Sequence, residues 1–224
     1  MKCTSLVCFS TLLTMDTQFF KYMIKLILDD CMNIMKDYDD NHFDLAIVDP
    51  PYGLPDRSTQ GAGKLANRKI QEMYKKGWDI KPKREYFDEL FRVSKNQVIW
   101  GGNYFDLPPT RGIICWDKVQ PFPNFSAWEM AWTSFDMVAK LFRYDNRRGG
   151  KIHPTQKPIE LYDWILSIYA EKGYKILDTH LGSGSIAVAC HYFGADLIGI
   201  EIDEEYYNKA KHRVDELTKQ TTMF

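Results

Sequence analysis

The sequence predicts an α/β fold, a sheet flanked by helices, and three observations carry that expectation. Short apolar runs rich in strand formers, such as Phe43–Val48 and Leu197–Glu201, alternate with segments whose apolar residues fall at helical spacing. Several of these runs end in an acidic residue, at the edge where open α/β sheets place their ligands. A glycine-rich turn, Leu181-Gly182-Ser183-Gly184-Ser185, joins one run to a helical segment.

At 224 residues the chain can build one substantial core, or one core with a small inserted module. Hydrophobic and aromatic shares of 45% and 14% suit a folded globular protein rather than a disordered one. The formal net charge of −1 excludes a uniformly basic nucleic-acid binder, so any such surface must come from local segregation. Segregation is present: Arg57–Arg84 holds nine basic and two acidic residues, whereas Asp29–Asp49 holds seven aspartates and one lysine. The five cysteines form no Cys-x-x-Cys pair and no cluster with metal spacing, so no metal is expected and the thiols suit a reducing cytoplasm. The apolar patch in residues 1–15 is broken by Ser and Thr and lacks a clear small-residue cleavage site. Residues 1–19 are therefore expected to be an N-terminal extension to a single domain over 20–224. No run is long enough to span a membrane.

Taken in order, Tyr22–Leu28 reads as a strand ending in Asp29-Asp30-Cys31, before a helix to about Tyr38. Asp30 has two readings, a ligand acceptor at a strand end or a helix N-cap. Phe43–Val48 is the next strand and ends in Asp49-Pro50-Pro51-Tyr52-Gly53. Successive prolines fix φ and remove two donors, so Asp49 and Tyr52 are held in a stiff turn. That turn offers a carboxylate and carbonyls to an exocyclic amino group, and the Tyr52 ring to a planar partner. The polar stretch from Gly53 to about Ile80 carries Lys64, Arg68 and Lys69. It reads as a phosphate-contacting loop or as a solvated surface loop. Lys83–Val93 is a helix and Gln97–Trp100 a strand, closed by Gly101-Gly102-Asn103. Gly112–Trp116 is a further strand, and Ala127–Phe135 with Asp136–Tyr144 reads as an antiparallel pair. Arg143, Arg147, Arg148 and Lys151 form a second basic loop, for DNA contact or as a plain turn.

After His153-Pro154-Thr155-Gln156-Lys157-Pro158, a helix runs to about Ala170, with Pro158 at its front. Gly173–Asp178 is a strand, and Asp178-Thr179-His180 leads through the glycine-rich turn into a helix through Cys190. The turn is not Gly-x-Gly-x-x-Gly and lacks a P-loop lysine, so pyrophosphate is not the obvious ligand. Leu197–Glu201 is a strand whose terminal acid lies about twenty positions after that turn, a spacing suited to ribose hydroxyls. Asp203 reads as the cap of a last helix to about Leu217.

Asp49-Pro50-Pro51-Tyr52 resembles the Asp/Asn/Ser-Pro-Pro-Tyr tetrapeptide of the amino-group DNA methyltransferases. His153–Pro158 is similar to that family's His-Pro-Thr-Gln-Lys-Pro segment, and Asp178–Ser185 to its Asp-Pro-Phe-x-Gly-Ser-Gly-Thr, departing at Thr179, His180 and Ser185. The glycine-rich half follows the Pro-Pro half, the circularly permuted order of the family's β group. The resemblance spans about Tyr22 to Leu217. It implies a Rossmann-like, S-adenosylmethionine-dependent methyltransferase fold with a mixed sheet and a short target-recognition insertion at about 117–152.

The resemblance further implies catalysis by Asp49, Pro50, Pro51 and Tyr52. S-adenosylmethionine would meet Asp30, His153, Thr155, Gln156, Lys157, Asp178, Thr179, His180, Gly182, Ser183, Gly184, Ser185, Glu201 and Asp203, with His180 a pocket wall rather than a base. The expected reaction is methyl transfer to the N6 amino group of a flipped-out adenine in double-stranded DNA. N4-cytosine methylation and a binding module without transfer are the alternatives, and a homodimer or a cognate restriction endonuclease is a compatible partner.

Overall fold

The apolar runs of the sequence lie side by side in one mixed sheet. The computed structural model describes residues 22–54, 80–120, 126–145 and 156–219. Within them the chain order is β1 (Ile24–Leu28), α1 (Cys31–Met35), β2 (Leu45–Val48), α2 (Arg84–Val93), β3 (Gln97–Trp100), a 3-10 turn at Gly102–Tyr104, β4 (Ile113–Asp117), β5 (Trp128–Thr133), β6 (Lys140–Arg143), α3 (Ile159–Tyr169), β7 (Lys175–Asp178), α4 (Ser185–Phe193), β8 (Asp196–Glu201) and α5 (Glu204–Thr218). The eight strands are ordered β1-β8-β7-β2-β3-β5-β4-β6. All run in one direction except β5, which is antiparallel to both its neighbours.

Both faces of the sheet are covered, which is why the central strands read as unbroken apolar runs rather than alternating ones. Along β2, Leu45 and Ile47 pack on α3, α4 and α5, whereas Ala46 and Val48 pack on α1 and α2. Helix α2 forms because Tyr86, Phe87, Leu90 and Val93 share one buried stripe, and it stops at Ser94, whose hydroxyl bonds back to the Leu90 carbonyl. Helix α4 is bounded by Gly184 and Gly194, both at positive φ, the second donating its N–H to the Cys190 carbonyl as a C-terminal cap. Among the described residues, no helix is long and apolar enough to cross a membrane.

Two expectations need correction. The antiparallel pair expected from Ala127–Phe135 and Asp136–Tyr144 does not form. β5 inserts between β3 and β4, and β6 pairs in parallel with the far side of β4. Both edges of β5 are occupied, so the following strand has to seek the next free edge. The first helix is also shorter than read, since α1 ends at Met35 and turns carry the chain on to Tyr38.

Leu166 is fully buried in the face formed by α3 and α4. Leu166→Ala should cost about 2–5 kcal/mol, the usual range for a buried Leu truncated to Ala. This would appear as a lower urea midpoint at unchanged slope. The exposed Val138→Ala should stay within about 0.5 kcal/mol of the wild type.

Candidate active site

Strands β1, β8, β7 and β2 are adjacent and parallel, so their carboxyl ends align. Each end carries an acid: Asp30 after β1, Glu201 on β8, Asp178 on β7 and Asp49 after β2. Topology thus gathers residues that lie far apart in sequence into one row along a single edge.

The cofactor-side turn is held by its own backbone and by Glu201. Gly182 and Gly184 sit at positive φ, where a side chain would be strained. Glu201 accepts the Gly182 N–H at 2.8 Å through Oε2 and the Asp203 N–H at 3.0 Å through Oε1. Asp203 caps α5, its Oδ1 accepting from the N–H groups of Glu205 and Tyr206 at 2.9 and 3.1 Å. Asp30 caps α1 in the same way, accepting the Met32 N–H at 2.8 Å. Beneath the turn, Arg213 Nη1 donates to the Ser183 carbonyl at 2.8 Å and to Ser185 Oγ at 2.9 Å. Ser185 Oγ donates in turn to the Lys157 carbonyl at 2.7 Å, tying this turn to the segment before α3.

Burial pushes the Asp178 carboxyl up to about 8, against the pull of the His180 N–H on its Oδ1 and with the help of the Asp49 and Glu201 charges. Burial likewise raises Glu201, although three backbone N–H groups oppose the rise. The His180 ring is driven down to about 4 by burial, so it is neutral at pH 7. Its Nδ1 lies 2.9 Å from Thr179 Oγ1, which is 2.6 Å from the hydroxyl of Tyr86 on α2. A neutral, ring-packed histidine suits a wall and not a base.

The Asp49-Pro50-Pro51-Tyr52 turn closes on itself, the Tyr52 hydroxyl donating to Asp49 Oδ1 at 2.6 Å. A Cβ added at Gly101 would lie 2.2 Å from the Tyr52 ring, so the bare Gly101 backbone is what lets that ring lie there. Tyr104 stacks on Tyr52 at 4.8 Å between centroids and 21° between planes. Burial, with the Asp49 charge next, holds the Tyr52 phenol well above its ordinary value. The second Asp49 oxygen bonds the ammonium of Lys157. This ammonium also lies 3.4 Å from Glu129 Oε2 and 4.9 Å from the centre of the Trp100 ring. Lys118 completes the row by pairing with Glu129. Burial works against both charged forms in the Lys157–Glu129 pair, but the opposite charges outweigh it. Lys157 is held above and Glu129 below its ordinary value.

Of the residues expected at the site, Asp49 to Tyr52, Asp178 to Ser185, Lys157, Glu201, Asp203 and Asp30 come together along this edge. Gln156 lies next to Lys157 at the start of a described segment. Lys64, Arg68, Lys69, Arg147, Arg148, Lys151, His153 and Thr155 lie outside the described residues. Arg143 is exposed at the end of β6 and pairs with Asp117 at 2.8 Å. Sequence reasoning missed Glu129, Lys118, Tyr86, Tyr104 and Arg213. Glu129 alone left a signal, as an acid in the otherwise uncharged strand Trp128–Thr133.

The pattern of the N6/N4 DNA methylases matches residues 69–212, more than half of the chain. The chain belongs to this DNA methylase family. The methyltransferase is 27% identical to the type II methyltransferase M2.MboI of Moraxella bovis, over 84% of this chain and 86% of that protein. It is 25% identical to the type II methyltransferase M.HpaI of Haemophilus parainfluenzae, over 85% of this chain and 74% of that protein. Its fold is shared with M1.HpyAVI, solved in complex with S-adenosylmethionine, at a TM-score of 0.58 and 21% identity over 85% of this chain and 100% of that one. The cytosine-N4-specific PvuII DNA methyltransferase shares the fold too, at a TM-score of 0.61 and 11% identity over 89% and 93% of the two chains. S-adenosylmethionine is the methyl donor of this family and DNA its substrate.

The raised Asp178 carboxyl gives a signed pH test for this methyltransferase. The folded state keeps the proton up to about 8 while the unfolded chain loses it near 3.8, so stability present at low pH is lost as pH rises through that window. Asp178→Asn keeps an acceptor for the His180 N–H and carries no charge. Its melting temperature should therefore gain on the wild type by at least about 3 °C between pH 5 and pH 8, a kcal/mol being worth about 2–4 °C at this size. A gap that stays constant with pH would contradict the assignment.

Proposed function

We propose that this methyltransferase transfers a methyl group to the N6 amino group of an adenine flipped out of double-stranded DNA. The observation that carries this reading is the Asp49–Tyr52 turn. A half-buried carboxylate with one oxygen held by a cation and the other by an exchangeable phenol sits beside a tyrosine that already stacks a flat ring. A target base enters such a pocket only by leaving the helical stack, at a cost of a few kcal/mol. Tyr52 then stacks the base, and Asp49 with the Pro50 carbonyl accepts its amino hydrogens. Those bonds draw the nitrogen lone pair out of conjugation and aim it at the methyl carbon, so that alignment and electrostatic stabilisation supply much of the rate. Aspartate at position 49 favours adenine over cytosine by the family resemblance.

S-adenosylmethionine supplies an activated methyl group on a positively charged sulfonium. The carboxylates Asp30, Glu201 and Asp49 in this row suit a ligand of that charge, and the glycine turn leaves its main chain open to close approach. In this reading Glu201 faces the ribose hydroxyls, Asp30 the adenine, and Asp178 to Ser185 with Gln156 the remainder. Asp203 serves the site as the cap that sets the entry of α5. The basic loops holding Lys64, Arg68, Lys69 and Arg143, Arg147, Arg148, Lys151 contact DNA phosphates and so offset the neutral overall charge. Within 117–152, β5 and β6 belong to the sheet, which leaves target reading to the connections around them. A second copy would extend this short reading surface along the DNA, and a restriction endonuclease of the same specificity would give the modification its use.

The test is incubation of the purified protein with mixed-sequence DNA and methyl-labelled S-adenosylmethionine, followed by mass spectrometry of the digested nucleosides. Labelled N6-methyladenine is the expected product. Labelled N4-methylcytosine would replace the adenine reading, and label in neither, with cofactor binding shown separately, would leave a binding module. Asp49→Ala should lower transfer by about 1,000-fold or more with cofactor affinity within a few-fold of the wild type. An equal loss of affinity and rate would remove Asp49 from the catalytic role.

A further inference from the structure

Lys157 stands in the segment that resembles a cofactor-contacting motif, and its side chain reaches Asp49. The ammonium bonds Asp49 Oδ2, lies 3.4 Å from Glu129 Oε2 and rests over the Trp100 ring at 4.9 Å. Its backbone carbonyl is fixed independently by Ser185 Oγ at 2.7 Å. Four contacts of different kinds therefore define where this nearly fully buried cation sits. Glu129 is in turn anchored from its other oxygen by Lys118. The result is an alternating series, Lys118, Glu129, Lys157, Asp49, ending on the Tyr52 hydroxyl.

We propose that Lys157 is a positioning residue for Asp49: it occupies Oδ2 and leaves Oδ1 as the one carboxylate oxygen that accepts from the substrate's amino group, while Glu129 and Lys118 set where Lys157 sits. The two Asp49 oxygens are held by partners of unequal strength. Oδ2 has a buried, charged donor whose loss would leave the Asp49 carboxylate without its cation, whereas Oδ1 has a neutral phenol that an incoming amino group can replace. With one oxygen pinned, the carboxylate cannot rotate, and the direction in which it draws on the amino group is set before the base arrives. Glu129 does this without touching the substrate, by holding the ammonium on the side of Asp49 away from Tyr52's hydroxyl.

This inference rests on the catalytic reading of Asp49, and its test separates the two. Single-turnover methyl transfer at saturating DNA and cofactor, and cofactor affinity by calorimetry, are measured for the wild type, Asp49→Ala, Lys157→Met, Glu129→Gln and the Glu129→Gln/Lys157→Met double variant. Lys157→Met should slow transfer by about 100-fold with cofactor affinity within about 3-fold, since misplacing a reacting group by an ångström costs that much. Glu129→Gln should slow it by roughly 10-fold, and the double variant should be no slower than Lys157→Met, because Glu129 acts through Lys157. A Lys157→Met variant that loses affinity as much as rate would make Lys157 a cofactor contact and overturn the proposal. So would losses that multiply in the double variant, or a Glu129→Gln rate equal to the wild type. Should Lys157→Met fail to fold, Glu129→Gln and Lys118→Met carry the same comparison, a slower rate at unchanged affinity supporting the proposal and an unchanged rate overturning it. If Asp49→Ala transfers normally, the catalytic reading itself has failed; if it is inactive and Lys157→Met is not slowed, only the present inference has.

Discussion

The buried contact between Lys157 and Asp49 joins two parts of the chain that nothing in the local sequence brings together. Asp49 follows β2, whereas Lys157 precedes α3, which packs against α4 and sets Trp164 against Phe142 of β6. A buried ammonium without carboxylate partners would carry a large desolvation cost, and at Lys157 Asp49 and Glu129 share in offsetting it. Because Ser185 and Arg213 tie the backbone at Lys157 to the glycine-rich turn, the same residue holds the geometry of both halves of the site. Local distortion on one side is therefore transmitted to the other through a single side chain.

The acidic edge has a similar logic at larger scale. Four ionised carboxyl groups along adjacent strand ends would repel one another, and the fold accommodates each in a different way. Asp178 keeps its proton, Glu201 takes backbone N–H groups on both oxygens, and Asp49 takes a cation and a phenol. Asp30 faces solvent and caps a helix. A cationic ligand bound along this edge relieves the same repulsion, so ligand charge and protein stability are linked.

Much of this was legible in the sequence because it is local. Two prolines after an apolar run define the Asp49 turn by covalent geometry alone, and Gly182 and Gly184 mark positive-φ backbone wherever they occur between a strand and a helix. The Asp203 cap follows from an aspartate directly before Glu204-Glu205 in a first helical turn. The rest depends on strand order, which no local pattern carries. The runs either side of Ser134–Met137 look like a hairpin, but β5 is already hydrogen-bonded on both edges. Glu129 becomes part of the site only because β5 lies beside β3, and Arg213 only because α5 folds back beneath a turn thirty residues earlier. Lys157 stands in a motif read for the cofactor, and its pairing with Asp49 is a long-range contact that no local pattern carries.

The edge strand β1 has a consequence for how this protein is made. Among the described residues its one strand partner is β8, and the backbone of Met23 beside it bonds Asp196, 173 residues further along the chain. A ribosome delivers β1 long before β8, so β1 waits for its partner as an unpaired, largely apolar strand. The helices and hairpin-distance contacts can form as they emerge, but the cofactor half has to wait for a closure of very high contact order. The site is therefore assembled only after β8 has emerged, and a chain stalled before it has a Pro-Pro turn with nothing to align.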